Sequence, residues 1–140
     1  MIYLDTSVAI PMFVPEPASE AVDAWFESCD ETLISSDWIL TEFASALSIK
    51  VRRVEIDQKQ ARAAWKNFET FCQSGLRLVP VGRQAFIYAA QLVRNVRSGL
   101  RGGDSLHLSM AIEAGAVSIA TADANLAKNA KSMGLAAIRF

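Results

Sequence analysis

The sequence predicts an α/β sandwich, a parallel sheet with helices packed on both faces. Short apolar runs alternate along the whole chain with helical patterns of about ten residues, the sign of repeated strand–helix units. The runs are apolar at successive positions, as strands covered on both faces require. The 140 residues, 51% of them hydrophobic, are enough to bury a sizeable core. No repeat, low-complexity tract or linker interrupts them, so one domain over 1–140 is expected.

Residues 2–4 read as the first strand, and Asp5-Thr6-Ser7 as the turn out of it. A short helix follows and ends at Pro15-Glu16-Pro17, because proline disfavours helical backbone in the residue before it. Residues 19–26 carry Ala21, Val22, Trp25 and Phe26 at helical spacing, and 32–35 is a second strand. Asp37 is a preferred cap for a helix to about residue 53, with Ile39, Leu40, Phe43, Ala46 and Leu47 as its apolar stripe. Asp57 caps another helix over about 58–74, which Gly75 closes. Residues 76–81 form a third strand, about 83–96 a helix, and 97–103 a Gly-containing loop. Asp104 opens a helix that Gly115 stops, and 117–120 is a fourth strand. Asp123 opens a helix ending near Gly134, and 136–138 is the last strand.

Composition removes several function classes. The charged fraction of 21% and mean hydropathy of +0.21 exclude a disordered chain. No apolar stretch approaches the roughly 18 residues of a spanning helix. The start is apolar but lacks a basic segment and carries Asp5 early, so no secretory signal and a cytoplasmic location are expected. Cys29 and Cys72 lack metal spacing and read as two reduced, packed thiols. Residues 1–70 hold twelve acids and six bases, whereas 71–140 hold three acids and eight bases. That polarity suits a basic face for a polyanion, while the isoelectric point near 5.8 excludes indiscriminate nucleic-acid coating.

Ligands of open α/β sheets bind beyond the carboxyl ends of the strands. Asp5 follows the first strand and Asp123 the fourth, so both are expected at the same sheet edge. Asp5, Asp104 and Asp123 each have a capping reading as well, since Asp is a favoured N-cap. Glu42 lies beside the apolar stripe of its helix, where a carboxylate needs a partner or a metal. His107, the one histidine, is expected as a core residue bonded to a neighbour. A lone histidine excludes nucleases built on a histidine pair and disfavours zinc. What remains is a set of hard oxygen donors, Asp5, Glu42, Asp104 and Asp123, suited to Mg²⁺ or Mn²⁺. Such ions serve phosphodiester hydrolysis by activating water and neutralising a leaving oxygen. Arg94, Arg97 and Arg101, just before Asp104, are candidates to hold phosphates beside the metal, or else form a solvated basic face. Four converging carboxylates are expected to repel, to hold extra protons without metal, and so to cost the metal-free protein stability as pH rises.

The motifs resemble the PIN-domain nucleases, in particular VapC-type toxins of type II toxin–antitoxin modules. Met1-Ile2-Tyr3-Leu4-Asp5-Thr6-Ser7, with Glu16-Pro17 and Ser19, resembles the family opening. Thr41-Glu42-Phe43-Ala44-Ser45-Ala46-Leu47 is similar to its glutamate helix. Leu100-Arg101-Gly102-Gly103-Asp104-Ser105-Leu106-His107-Leu108 and Thr121-Ala122-Asp123-Ala124-Asn125-Leu126-Ala127 resemble its two later motifs. Leu126, Asp37 and Trp38 depart from the usual pattern without touching the acids.

The resemblance implies a five-stranded parallel sheet and Mg²⁺- or Mn²⁺-dependent endoribonuclease activity. It also implies a homodimer restrained by a cognate VapB-type antitoxin. The four acids carry over as metal and catalytic residues, with Ser7 and Thr121 hydrogen-bonding them. His107 matches a frequent family residue that is not a ligand. Trp38, Trp65 and Phe68 are candidates for a partner surface or for core. The alternatives are a PIN-like DNA or structure-specific nuclease and an inactive PIN fold used for binding. All four acids being present speaks against the second.

Overall fold

The computed structural model describes residues 1–140. Its strands are β1 (Ile2–Leu4), β2 (Leu33–Ser36), β3 (Arg77–Val79), β4 (Ser118–Thr121) and β5 (Ala136–Arg139). The helices are α1 (Thr6–Phe13), α2 (Ser19–Glu27), α3 (Trp38–Arg52), α4 (Gln58–Ser74), α5 (Arg83–Arg94), α6 (Gly102–Glu113) and α7 (Ala124–Ser132). All strand pairs are parallel, in the order β3-β2-β1-β4-β5, with Tyr3 opposite Ile34 on one side and Ile119 on the other. None of the helices is long and apolar enough to cross a membrane.

Side-chain alternation along the strands sorts the apolar residues into two cores. Ile2, Leu4 and Ala120 join Val8 of α1, Val22 of α2, Phe43 of α3 and Phe68 of α4 on one face. Tyr3, Ile34 and Ile119 join Ala85 of α5, Leu108 of α6 and Leu126 of α7 on the other. β1, β2 and β4 are buried throughout, whereas the edge strands β3 and β5 are half-exposed, so the double cover is complete only at the centre.

The elements follow the predicted order with local differences. α1 stops at Phe13, ahead of Pro15, and Lys50 at the end of α3 ties down the turn by bonding Glu16 and, at 3.0 Å, Glu55. Asp57 caps α4 reciprocally, accepting from Gln60 N at 2.7 Å while Gln60 Oε1 accepts from Asp57 N at 2.8 Å. Asp37 makes no side-chain cap bond to α3. α5 ends earlier than predicted, because Asn95 leaves helical backbone and Val96–Ser98 forms a 3₁₀ turn. Gly99 then takes a left-handed conformation, φ 63°, which a glycine permits cheaply. α6 begins at Gly102, so Asp104 lies inside its first turn instead of preceding it.

Phe68 is fully buried and stacks on Phe43 with ring centroids 3.9 Å apart, which removes it from the surface candidates. Trp65 and Trp38 are half-buried, packed against the first and second cores respectively. Cys29 and Cys72 are free thiols; burial, then the Glu69 charge, pushes Cys72 up to about 11.

Candidate active site

The chain turns in opposite directions from β1 and β4, which opens a crevice beyond their carboxyl ends. Asp5 leaves β1 and Asp123 leaves β4, as their positions predict. Glu42 enters from α3 and Asp104 from α6, and all four acids line one cleft with Thr6, Ser7 and Arg101.

The deeper tier is built on Asp5 and Glu42. Asp5 is buried and makes no cap bond to α1. Its Oδ2 instead accepts from Ser7 Oγ at 2.5 Å and Thr121 Oγ1 at 2.7 Å. Both hydroxyls are themselves fixed, Ser7 Oγ by Ala122 N at 2.9 Å and Thr121 Oγ1 by Asp123 N at 3.0 Å. Glu42 accepts from Thr6 Oγ1 at 2.7 Å and meets His107 Nε2 at 2.5 Å. The same His107 nitrogen is 3.3 Å from Asp5 Oδ1, while Nδ1 is 3.0 Å from Tyr3 Oη, which also bonds Ser36 Oγ at 2.9 Å.

Charge balance follows from these contacts. Burial opposes a charged imidazole, but Tyr3, Glu42 and Asp5 outweigh it and raise His107 to about 10. Burial likewise opposes the Glu42 carboxylate, yet the bond and charge of His107 outweigh it, with Thr6 assisting, and its pKa falls below the ordinary value. The expected crowding of protons on the acids is therefore corrected for Glu42. His107 compensates the carboxylates from below, a partner that repulsion among acids alone leaves out.

The other two acids are half-buried like Glu42 and meet the exposed Arg101. Asp104 Oδ2 accepts from Arg101 Nε at 3.0 Å, and Asp123 Oδ2 from Arg101 Nη2 at 3.3 Å. Asp123 Oδ1 caps α7 through Asn125 N at 2.7 Å and Leu126 N at 2.8 Å. Its capping reading is thus correct for one oxygen, while the other meets Arg101 in the cleft. Arg94 and Arg97 are exposed and do not line the cleft, so of the three predicted arginines only Arg101 reaches the acids.

Two close approaches shape the wall. A Cβ on Gly103 would collide with Glu42 Oε1, so glycine there lets α6 pass close to the carboxylate. The buried Trp38 Nε1 lies 3.5 Å from that same Cβ position and has no hydrogen-bond partner. Sequence reasoning missed Thr6, Tyr3 and Gly103 as parts of this site. Only the adjacency of Thr6 and Gly103 to the acidic motifs signalled them, and nothing marked Tyr3.

The donor set fits a hard divalent cation. Four carboxylates against charged His107 and Arg101 leave two negative charges in one cleft, and carboxylate oxygens suit Mg²⁺ or Mn²⁺. Asp5, Glu42 and His107 come close enough to surround an ion, but both His107 nitrogens are engaged, which makes it a counter-ion instead of a ligand.

A parallel sheet with an acidic pocket at its switch point defines an α/β protein whose cleft can take a divalent cation. The chain belongs to the PIN domain family, whose model matches residues 2–132. It is 27% identical over 115 residues to ribonuclease VapC45 of Mycobacterium tuberculosis, covering 82% of this chain and 77% of that one. Among solved structures it superposes on M. tuberculosis VapC20, a sarcin–ricin loop cleaving toxin, with TM-score 0.77, 17% identity and complete cover of both chains. VapBC2 from Rickettsia felis, bound to a fragment of promoter DNA, gives TM-score 0.66 at 18% identity, covering 99% of this chain and 98% of that one.

Proposed function

We propose that this chain is a metal-dependent endoribonuclease, the toxin of a type II toxin–antitoxin system, working as one domain over 1–140. The observation that carries this is the convergence of Asp5, Glu42, Asp104 and Asp123 in one cleft at the switch point. Likeness to proteins named VapC ribonucleases supports RNA as substrate in preference to structured DNA.

Asp5, Glu42, Asp104 and Asp123 would hold Mg²⁺ or Mn²⁺, which supplies an activated water and neutralises the leaving oxygen. The chain prepares that site in stated ways. Ser7 and Thr121 fix the Asp5 carboxylate, so its orientation costs nothing on binding. His107 keeps Glu42 ionised and turned into the cleft. Arg101 stands at the solvent-facing side, where a phosphate of RNA enters, and exposed Arg94 and Arg97 extend the basic path. Attack by such a water would not call on the ribose 2′-hydroxyl, so products with 5′-phosphate and 3′-hydroxyl ends are expected.

Cleavage of single-stranded RNA with Mg²⁺ or Mn²⁺, with and without EDTA, tests this reading. Activity that EDTA abolishes is expected; cyclic 2′,3′-phosphate products persisting in EDTA would overturn it. No cleavage under any metal would favour a binding module.

The partner is a VapB-type antitoxin, a reading supported by the solved VapBC assembly that shares this fold. The chain acts in the cytoplasm, where RNA is available. It also pairs with a second copy: Phe86, Ile87 and Val93 of α5 are 53%, 42% and 36% exposed, an apolar face that self-association would cover. Sedimentation of the free protein at roughly tens of micromolar, a range in which μM-affinity dimers populate, should show dimer. Monomer alone contradicts this.

A further inference from the structure

Meeting an RNA phosphate does not explain why Arg101 is already bonded to two of the cleft's acids. Its guanidinium bridges two half-buried acids, through Nε to Asp104 and Nη2 to Asp123. As an arginine it is a permanent cation, and it stands against two of the four carboxylates. Yet its side chain is 78% exposed, and apart from its backbone it is held by those two contacts alone. A long, solvated side chain so placed can leave without disturbing the fold.

We propose that Arg101 is the cleft's built-in counter-ion, holding Asp104 and Asp123 until a divalent cation displaces it, and so setting the metal affinity of the site. This rests on the metal-dependent reading above. The Oδ2 atoms of Asp104 and Asp123 are the two oxygens the guanidinium already uses. An ion taking those oxygens competes with the guanidinium for them and, being of like charge, repels it. Arg101 and a metal ion therefore compete for these oxygens. Metal must outbid the bridge, which screens out weakly binding cations and keeps the acids compensated meanwhile. The deeper acids need no such device, because His107 is fixed beneath them.

The test is calorimetric titration of metal-free protein with Mn²⁺, without RNA, comparing wild type, Arg101→Gln and Arg101→Lys. Two exposed ion pairs lost to competition correspond to about three- to tenfold tighter Mn²⁺ binding in Arg101→Gln. Arg101→Lys keeps the charge but lacks the fork that bridges two carboxylates, so it should fall between the two. Repulsion at a distance, without a bridge, would leave Arg101→Lys equal to wild type. A second readout follows the Arg101 Nε–H resonance, assigned by its loss in Arg101→Gln, which should move as Mg²⁺ saturates the site. Unchanged or weaker Mn²⁺ binding in Arg101→Gln, or an Arg101 resonance insensitive to saturating Mg²⁺, overturns the proposal alone. Absence of Mn²⁺ binding by all three proteins overturns it together with the metal-dependent reading.

Discussion

At the scale of single residues, the cleft is a set of charges that the chain compensates without metal. Glu42 and His107 form its buried pair, and their shifts set a pH dependence with a defined sign. Glu42 is lowered, so its contribution is complete above its ordinary 4.5 and is lost as pH falls through the lowered folded value. His107 is raised, so its contribution is complete below its ordinary 6.5 and is lost as pH rises toward about 10. Metal-free protein should therefore gain most from this pair between those ordinary values and lose stability through the alkaline range. Urea unfolding in EDTA from about pH 5 to about pH 10 measures this, and His107→Gln should flatten the alkaline limb. Stability that climbs from neutrality to about pH 10 in wild type would contradict the pairing.

At the scale of elements, the site depends on how closely α6 approaches α3. Gly103 is the contact point, because a Cβ there meets the Glu42 carboxylate. Its backbone is not left-handed, so alanine suits the helix and raises its propensity by up to about 1 kcal/mol. Gly103→Ala should therefore keep the helical circular dichroism of wild type while pushing Glu42 aside. Displacing a positioned group by about 1 Å costs roughly 100-fold, so RNA cleavage should fall on that order. Wild-type cleavage in this variant would show that Glu42 does not need its observed position. This dependence was not legible in the sequence, where Gly102-Gly103 read as a flexible entry to the helix. Capping was legible only in part: Asp57 and Asp123 bond their helix ends, whereas Asp37 and Asp5 do not. Residue type marks a favourable cap, but the Asp5 carboxylate is drawn instead to two hydroxyls, one of them 116 residues away.

At the scale of the molecule, strand–helix alternation and the shared sheet edge of Asp5 and Asp123 were readable from pattern, since a parallel sheet puts all its carboxyl ends on one side; the adjacency of β1 and β4 was not. The four acids were readable as a set because each sits in a recognisable motif. Their division into a pair held by the buried His107 and a pair held by the exposed Arg101 was not. That division arises from contacts between elements far apart in the chain, which no local spacing encodes. The same limit left Phe68 open between partner surface and core; its stacking on Phe43 between α3 and α4 makes it core.

The central claim is that the four acids form one metal-dependent hydrolytic centre, and Asp104→Asn tests it most directly. The substitution removes one charge and nearly preserves shape. Asp104 is paired with a largely exposed arginine, so metal-free melting should stay close to wild type. Cleavage of single-stranded RNA should fall by about 100-fold or more, the scale of a lost transition-state electrostatic contact. The rise in melting temperature on adding Mn²⁺ should shrink, because less metal binds the folded state. The decisive measurement is Mn²⁺-dependent RNA cleavage by Asp104→Asn, read beside its Mn²⁺-induced melting shift: the account predicts that both collapse together, and near-wild-type values of both would contradict it.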